Sequence, residues 1–300
     1  HWAADATEAN EIITGIVRSV DGQAVVKGKS MVTEEIELNE ALEAAGIEVT
    51  ETDLGEFIAQ LAGERPSHII APILHKTRQD VGRVFEAELG EAYTDEPAEL
   101  NAIARRHLRR RFLSADVGIS GANVVVAETG TVALVENEGN GRLTTSAPPV
   151  HVVVMGMERI VPTMADLGVV LDVLARSATA QELTVYTNLV HGPRRPDDAD
   201  GPGELHVVVV DNGRSSILGG DLAEILACIR CGACLNVCPV YQEIGGHAYD
   251  SVYQGPVGSV VTAGLFGADP WSELAHASTL CGACRDACPV RIDIPHLLAE

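Results

Sequence analysis

The sequence predicts an α/β domain over residues 1–219, followed over residues 220–300 by a small, mainly α-helical module built around cysteine. Three observations lead to that division. Helical and strand-like periodicities alternate through the first two-thirds of the chain, as they do where strands are layered between helices. The seven cysteines all lie at or beyond position 228. Between the two regions the chain turns through Asp211-Asn212-Gly213 and then Gly219-Gly220, which places the boundary near the glycine pair.

Each element has a local reason. Residues 6–20 read as an amphipathic helix, with Ile12, Ile13, Ile16 and Val17 at helical spacing. Residues 23–26 form a short strand. Thr33 is a candidate N-cap, with Glu34 and Glu35 well placed against the positive end of the helix dipole. That helix passes Leu38 and Leu42 and stops at Gly46. Residues 47–50 are the next strand, 54–62 a helix and 68–71 another strand. Residues 77–89 and 97–113 are helices, the second opening with Pro97 at a permitted first-turn position. The middle is richer in strands, at 124–127, 132–135 and 151–155, with Glu128-Thr129-Gly130-Thr131 as a tight turn between the first two. Residues 164–175 are helical. Residues 183–186 and 206–210 are apolar strands of the kind buried on both faces. The loop 192–203 between them is rich in Pro, Gly, Asp and Arg. A short helix, 222–227, leads into the first cysteine.

Composition limits the functions open to the chain. A formal charge of −22 argues against direct nucleic-acid binding, which needs basic surface. No apolar run reaches the ~18 residues of a membrane span. The opening His1-Trp2-Ala3-Ala4-Asp5 has no basic-then-apolar secretory pattern. That opening lacks Met, and the ending, His296-Leu297-Leu298-Ala299-Glu300, reads as a helix cut in mid-course, so the chain has the look of a piece of a longer protein. Clustered cysteines without a secretory signal point to metal in a reducing compartment, not to a disulfide scaffold. Lysine is scarce, with Lys27, Lys29 and Lys76 alone against 18 Arg. A GC-rich genome and a high-salt cytoplasm would each produce that bias.

The cysteines carry the chemistry. Cys228-Ile229-Arg230-Cys231-Gly232-Ala233-Cys234-Leu235-Asn236-Val237-Cys238-Pro239 has the C-x2-C-x2-C-x3-C-P spacing of bacterial ferredoxins. Cys281-Gly282-Ala283-Cys284-Arg285-Asp286-Ala287-Cys288-Pro289 repeats it with one cysteine missing, where Ser278 stands. Zinc would call for paired C-x2-C units closing one tetrahedron, and seven cysteines in two unequal blocks do not divide that way. In two-cluster ferredoxins the fourth cysteine of each motif serves the other cluster. Crossing the motifs assigns Cys228, Cys231, Cys234 and Cys288 to cluster one, a 4Fe-4S cluster. Cys238, Cys281 and Cys284 then hold cluster two. With three cysteines, cluster two is a 3Fe-4S cluster, or a 4Fe-4S cluster whose last iron is open or held by another group, Ser278 and His276 being nearest in sequence. The intervening segment, with Tyr241, His247, Tyr249 and Tyr253, is long enough to wrap the clusters and shield them from water.

Lys29-Ser30-Met31-Val32-Thr33-Glu34-Glu35-Ile36, Glu128-Thr129-Gly130-Thr131, Pro148-Pro149-Val150-His151 and the first cysteine motif together resemble the lactate utilization protein B family. The resemblance extends over essentially the whole chain. It implies a domain related to sugar-phosphate isomerase and CoA-transferase folds, followed by a ferredoxin-like two-cluster iron–sulfur module. It also implies the iron–sulfur subunit of a cytoplasmic system oxidising L-lactate to pyruvate with two sister subunits. The family likewise shows three cysteines in the second motif, and its members are longer.

Two other classes of function share these features: an electron conduit for a different dehydrogenase, and a non-catalytic iron–sulfur sensor or scaffold. No flavin or nicotinamide fingerprint is present, and no residue names the electron acceptor. In the α/β domain, the few lysines fall near predicted strand ends, where open sheets bind ligands. Lys27, Lys29, His75, Lys76, Arg78 and Thr129 are therefore the candidates for an anion pocket.

Overall fold

A computed structural model describes residues 1–300, the side chain at position 270 excepted. Among the described residues, strands form two sheets. The first is six-stranded and wholly parallel, in the order β1 (Trp2–Ala3), β10 (Glu204–Val210), β7 (Val150–Gly156), β4 (Val117–Ser120), β2 (Ala24–Lys27), β3 (Glu48–Glu51). The second is four-stranded and mixed, in the order β8 (Ile160–Val161), β5 (Val124–Val126), β6 (Thr131–Glu136), β9 (Tyr186–Val190).

Parallel neighbours need crossovers, and the crossover helices cover both faces of the first sheet. Successive residues of β2 point opposite ways. Val25 joins Ile13 and Val17 of helix Ala6–Ser19 and Leu42 of helix Leu38–Ala44. Val26 joins Phe57, Phe85 and Ile103 from helices Leu54–Ala62, Arg78–Leu89 and Pro97–Ser114 on the other face. The strand order reverses at β2, which has β3 on one side and β4 on the other. Ligands of open α/β sheets bind outside the carboxyl ends of the strands at such a reversal. Here those ends continue as Gly28-Lys29-Ser30 and Gly121-Ala122-Asn123.

Beyond β10 the chain is helical. Helices Pro239–Ile244 and Gly255–Phe266 and the short turns around the cysteines enclose a second core of Leu235, Tyr249, Tyr253, Val257, Ile292 and Ile294. No helix among the described residues is long and apolar enough to cross a membrane.

Several expected elements differ. Residues 68–71 are not a strand but part of an irregular loop. Its backbone carbonyls serve the second core: Tyr241 Oη donates to Ser67 O (2.7 Å) and Gln254 Nε2 to Pro66 O (3.2 Å). Lys29 Nζ donates to Ile70 O (2.8 Å). Residues 183–185 precede the strand, which is Tyr186–Val190, and Leu183 and Val185 are exposed because β9 is an edge strand. In β10 Val208 and Val210 are buried, while the strand's other residues are half-buried or exposed. The helix expected from Thr33 to Gly46 is two helices, Met31–Glu35 and Leu38–Ala44, parted at Glu37 (φ +53°). Its N-cap is Ser30, whose hydroxyl accepts from Thr33 N–H. Strands β1, β4 and β8 and the helix Asn140–Ser146 are additions that the sequence pattern does not announce.

Candidate metal centre and the adjoining cavity

The two cysteine motifs share one local shape. Arg230 (φ +60°) and Leu280 (φ +51°) precede Cys231 and Cys281, and Gly232 (φ +77°) and Gly282 (φ +83°) follow them. Left-handed backbone at a non-glycine residue is strained and persists only where its surroundings demand it. The result turns backbone N–H groups towards sulfur. Arg230 N–H donates to Cys228 Sγ (3.4 Å), and Tyr241 N–H to Cys238 Sγ (3.5 Å). Pro239 then opens helix Pro239–Ile244 in its permitted first turn.

The motifs also cross. Cys228, Cys231 and Cys234 line one small apolar cavity together with Cys288 from the second motif, against Val257, Ile292 and Ile294. Burial, with Cys238 and Cys281 close by, pushes the Cys284 thiol up. Burial likewise pushes up the thiols of Cys231 and, most strongly, Cys234. Left free, these would be neutral thiols packed on one another. Metal coordination deprotonates a thiol outright, and backbone donors aimed at sulfur stabilise the charge. The donor set therefore fits iron–sulfur clusters. The two groups differ in setting: in the first, Cys231 and Cys234 are buried and Cys228 and Cys288 half-buried, whereas in the second Cys284 is buried, Cys238 half-buried and Cys281 exposed.

Ser278 and His276 do not face a cysteine through hydrogen bonds. Ser278 Oγ accepts from Leu280 N–H (3.1 Å), and His276 is exposed with Nδ1 on Ser272 O (2.9 Å). The hydroxyl beside Cys281 belongs to Thr279; with the Ala283 N–H first, it holds that thiol below its ordinary range.

The six residues expected to form an anion pocket are dispersed. Lys27 is wholly buried, and its Nζ meets Glu51 (2.7 Å), Glu34 (3.0 Å) and Thr33 (3.0 Å). Burial opposes its charge, but Glu51, Glu34 and Glu56 outweigh burial and hold it protonated. It has no charge to spare for an anion. His75 and Lys76 both bind Glu64, at 2.8 and 2.6 Å, and Arg78 lies 3.6 Å from Asp95. Thr129 sits in the β5–β6 turn against Thr131. Lys29 alone of the six lines the cavity at the reversal point, where it pairs with Asp53 (3.2 Å).

That cavity, of about 310 Å³, lies between the carboxyl ends of β2 and β4 and the first cysteine motif, with Arg159, Arg230 and Tyr253 on its wall. Behind it runs a buried charge network that the sequence did not announce, because single arginines in turns and at the start of a short helix leave no periodic trace. Arg214 makes two bonds to Glu35 (2.7 and 2.8 Å) and one to Glu158 (2.6 Å). Tyr253 Oη donates to the same Glu35. Arg159 Nη1 donates to Cys228 O (3.0 Å). The Arg230 guanidinium lies 4.5 Å from the centre of the Tyr253 ring, a cation–π contact.

Ser120 at the end of β4 meets His151 of β7, Oγ to Nε2, at 2.8 Å, and the serine also donates to Gly121 O (2.9 Å). The imidazole therefore donates through Nε2, and its buried Nδ1 has no partner. Burial pushes His151 down to about 4 from 6.5. The unfolded chain takes up this proton first as pH falls below 6.5, so stability present at neutral pH is lost on acidification. The loss is about 2 kcal/mol between pH 7 and pH 5. Urea unfolding at those two pH values should show it, and His151→Gln should remove most of it. An equal acid loss in the variant would clear His151 of the effect.

Two family models match the chain, "LUD domain" over residues 1–210 and "4Fe-4S dicluster domain" over residues 224–292. Lactate utilization protein B of Shouchella clausii is 54% identical over 301 residues, and that of Bacillus subtilis 50%. Each alignment covers 100% of this chain, which spans 63% of the length of these curated relatives. A DUF162 family structure from Deinococcus radiodurans aligns with 69% of this chain and 98% of its own at 14% identity, with a TM-score of 0.30, too low to bear on the fold. With an α/β domain on a parallel sheet, the matched dicluster domain after it and similarity to lactate utilization protein B over the whole of this chain, the chain belongs to the LUD domain family.

Proposed function

We propose that this chain is the iron–sulfur electron carrier of a cytoplasmic system that oxidises L-lactate to pyruvate, acting with two sister subunits. One observation carries the reading: cysteines from motifs some 50 residues apart come together, Cys288 of the second motif lining one cavity with Cys228, Cys231 and Cys234 of the first, and Cys284 lying close to Cys238. Cys228, Cys231, Cys234 and Cys288 would hold cluster one, and Cys238, Cys281 and Cys284 cluster two. When bound, such clusters take up and release single electrons. The residues around them support a direction. Cluster one would sit inside, beside the cavity at the strand ends, where Arg159 fixes the Cys228 carbonyl. Cluster two would sit outside, where Cys281 and its neighbour Leu280 are exposed to a partner.

Anaerobic iron and sulfide analysis with EPR, before and after dithionite, tests this. Two reducible centres are expected, one of them prone to lose iron and give a three-iron signal. Bound zinc, with no EPR signal after reconstitution, would sink the proposal.

A further inference from the structure

We infer that the cavity at the strand-order reversal binds a short monocarboxylate bearing a hydroxyl or oxo group, with its carboxylate on Arg230 and Arg159. The inference rests on the proposed function for the ligand's identity; the binding chemistry comes from the cavity itself. The buried network holds three guanidiniums, on Arg159, Arg214 and Arg230, against two carboxylates, Glu35 and Glu158. Arg214 uses both carboxylates in short bonds. The other Glu158 oxygen, Oε1, is buried without a hydrogen bond and meets the remaining two only at ion-pair distance, 3.6 Å from Arg159 Nε and 3.8 Å from Arg230 Nη2. Arg230 Nη1 is buried with no acceptor. An unmet guanidinium N–H in such a place is costly, and a carboxylate supplies the paired acceptors that its planar fork fits.

Size and charge narrow the ligand. At about 310 Å³ the cavity lies at the lower end of the roughly 300–1,000 Å³ of ligand pockets. The lining also carries Glu136, whose carboxylate is held by Gly141 N–H, Arg142 N–H and Asn188 and disfavours a dianion such as phosphate, and Glu138, which can accept a hydrogen bond from a ligand hydroxyl. Burial first, and then Asp53, pushes the Glu138 carboxyl up, which lowers the cost of a monoanion nearby. Leu134 and Leu174 offer apolar surface to a short carbon chain.

Isothermal titration of the anaerobically reconstituted chain with L-lactate, pyruvate and phosphate tests the site. L-Lactate or pyruvate is expected to bind ahead of phosphate. Arg230→Gln should weaken that binding about tenfold to a hundredfold. Ala178→Leu, which fills the cavity from helix Met164–Thr179, well away in sequence from the cysteines, should weaken it comparably with iron content unchanged. If Arg230→Gln takes up less iron, the affinity of Ala178→Leu alone decides whether the cavity is the site. A chain with both clusters that binds neither acid, or binds phosphate more tightly, overturns the site while leaving the electron-carrier reading intact. Unweakened binding to Ala178→Leu overturns it as well. Failure of the wild-type chain to take up iron counts instead against the electron-carrier reading.

Discussion

Replacing Cys288 with alanine is expected to abolish the cluster held by the first cysteine motif and to spare the one that includes the exposed Cys281. Replacing Cys238 is expected to do the reverse. Proximity in sequence would assign each cysteine to its own motif, so the two assignments make opposite forecasts. Cys288 shares its cavity with Cys228, Cys231 and Cys234, while Cys238 bears on Cys284. The effect should be large because binding and folding are one process at such sites: structural metal sites contribute on the order of 10 kcal/mol. Without the metal, burial forces these thiols into their neutral form, and the cavity lined by Val257, Ile292 and Ile294 loses what fills it. Each variant should keep roughly half the iron. EPR then identifies the survivor. A Cys288→Ala protein that retained the cluster of Cys228, Cys231 and Cys234 would show that the motifs do not cross.

The metal centre is legible in the cysteine spacing because ligand geometry is local: three thiolates at three-residue steps need a particular turn, and glycine marks it. The strands buried on both faces are legible for a related reason, since β7 and β2 are runs of valine. Strand β4 is not, because Val117-Gly118-Ile119-Ser120 has a glycine and a serine where a strand pattern wants bulk. The glycine is there because a Cβ at Gly118 would come within 1.9 Å of Thr144 O. Residues 68–71 fail the other way: Ile69 and Ile70 look like strand residues, but Ile69 packs into the core around the cysteines, a contact with no trace in local sequence. The lysines mislead because scarcity alone does not mark function. Lys27 is where the strand end suggested, but Glu34 and Glu51 neutralise it. The residues that line the cavity beside the cysteines, Arg159 and Arg230, are hidden among 18 arginines.

Arg214→Ala is expected to destabilise the protein by about 3–5 kcal/mol, the usual effect of removing one partner from a buried ion pair. Arg214 is among the largest fully buried side chains. Burial opposes its charge, yet its bonds to Glu35, with Tyr253 and Glu158 nearby, hold it protonated. Truncation would leave Glu35 and Glu158 without their main cation, and neither can reach water. Burial opposes ionisation of Glu158, and Arg159, Arg214 and Arg230 together now outweigh it; with one of the three gone, that balance shifts towards a protonated, uncharged carboxyl. The damage should be felt on both sides of the molecule, because Glu35 follows β2 of the parallel sheet whereas Tyr253, which donates to it, belongs to the core around the cysteines. Urea unfolding followed by far-UV circular dichroism measures the cost, and a loss under about 1 kcal/mol would mean that the pair is not the clasp between the two cores. Glu35→Gln in the Arg214→Ala background supplies the control. If the cost lies in a stranded carboxylate, removing its charge should recover part of the lost stability, and the two substitutions together should cost less than the sum of each alone.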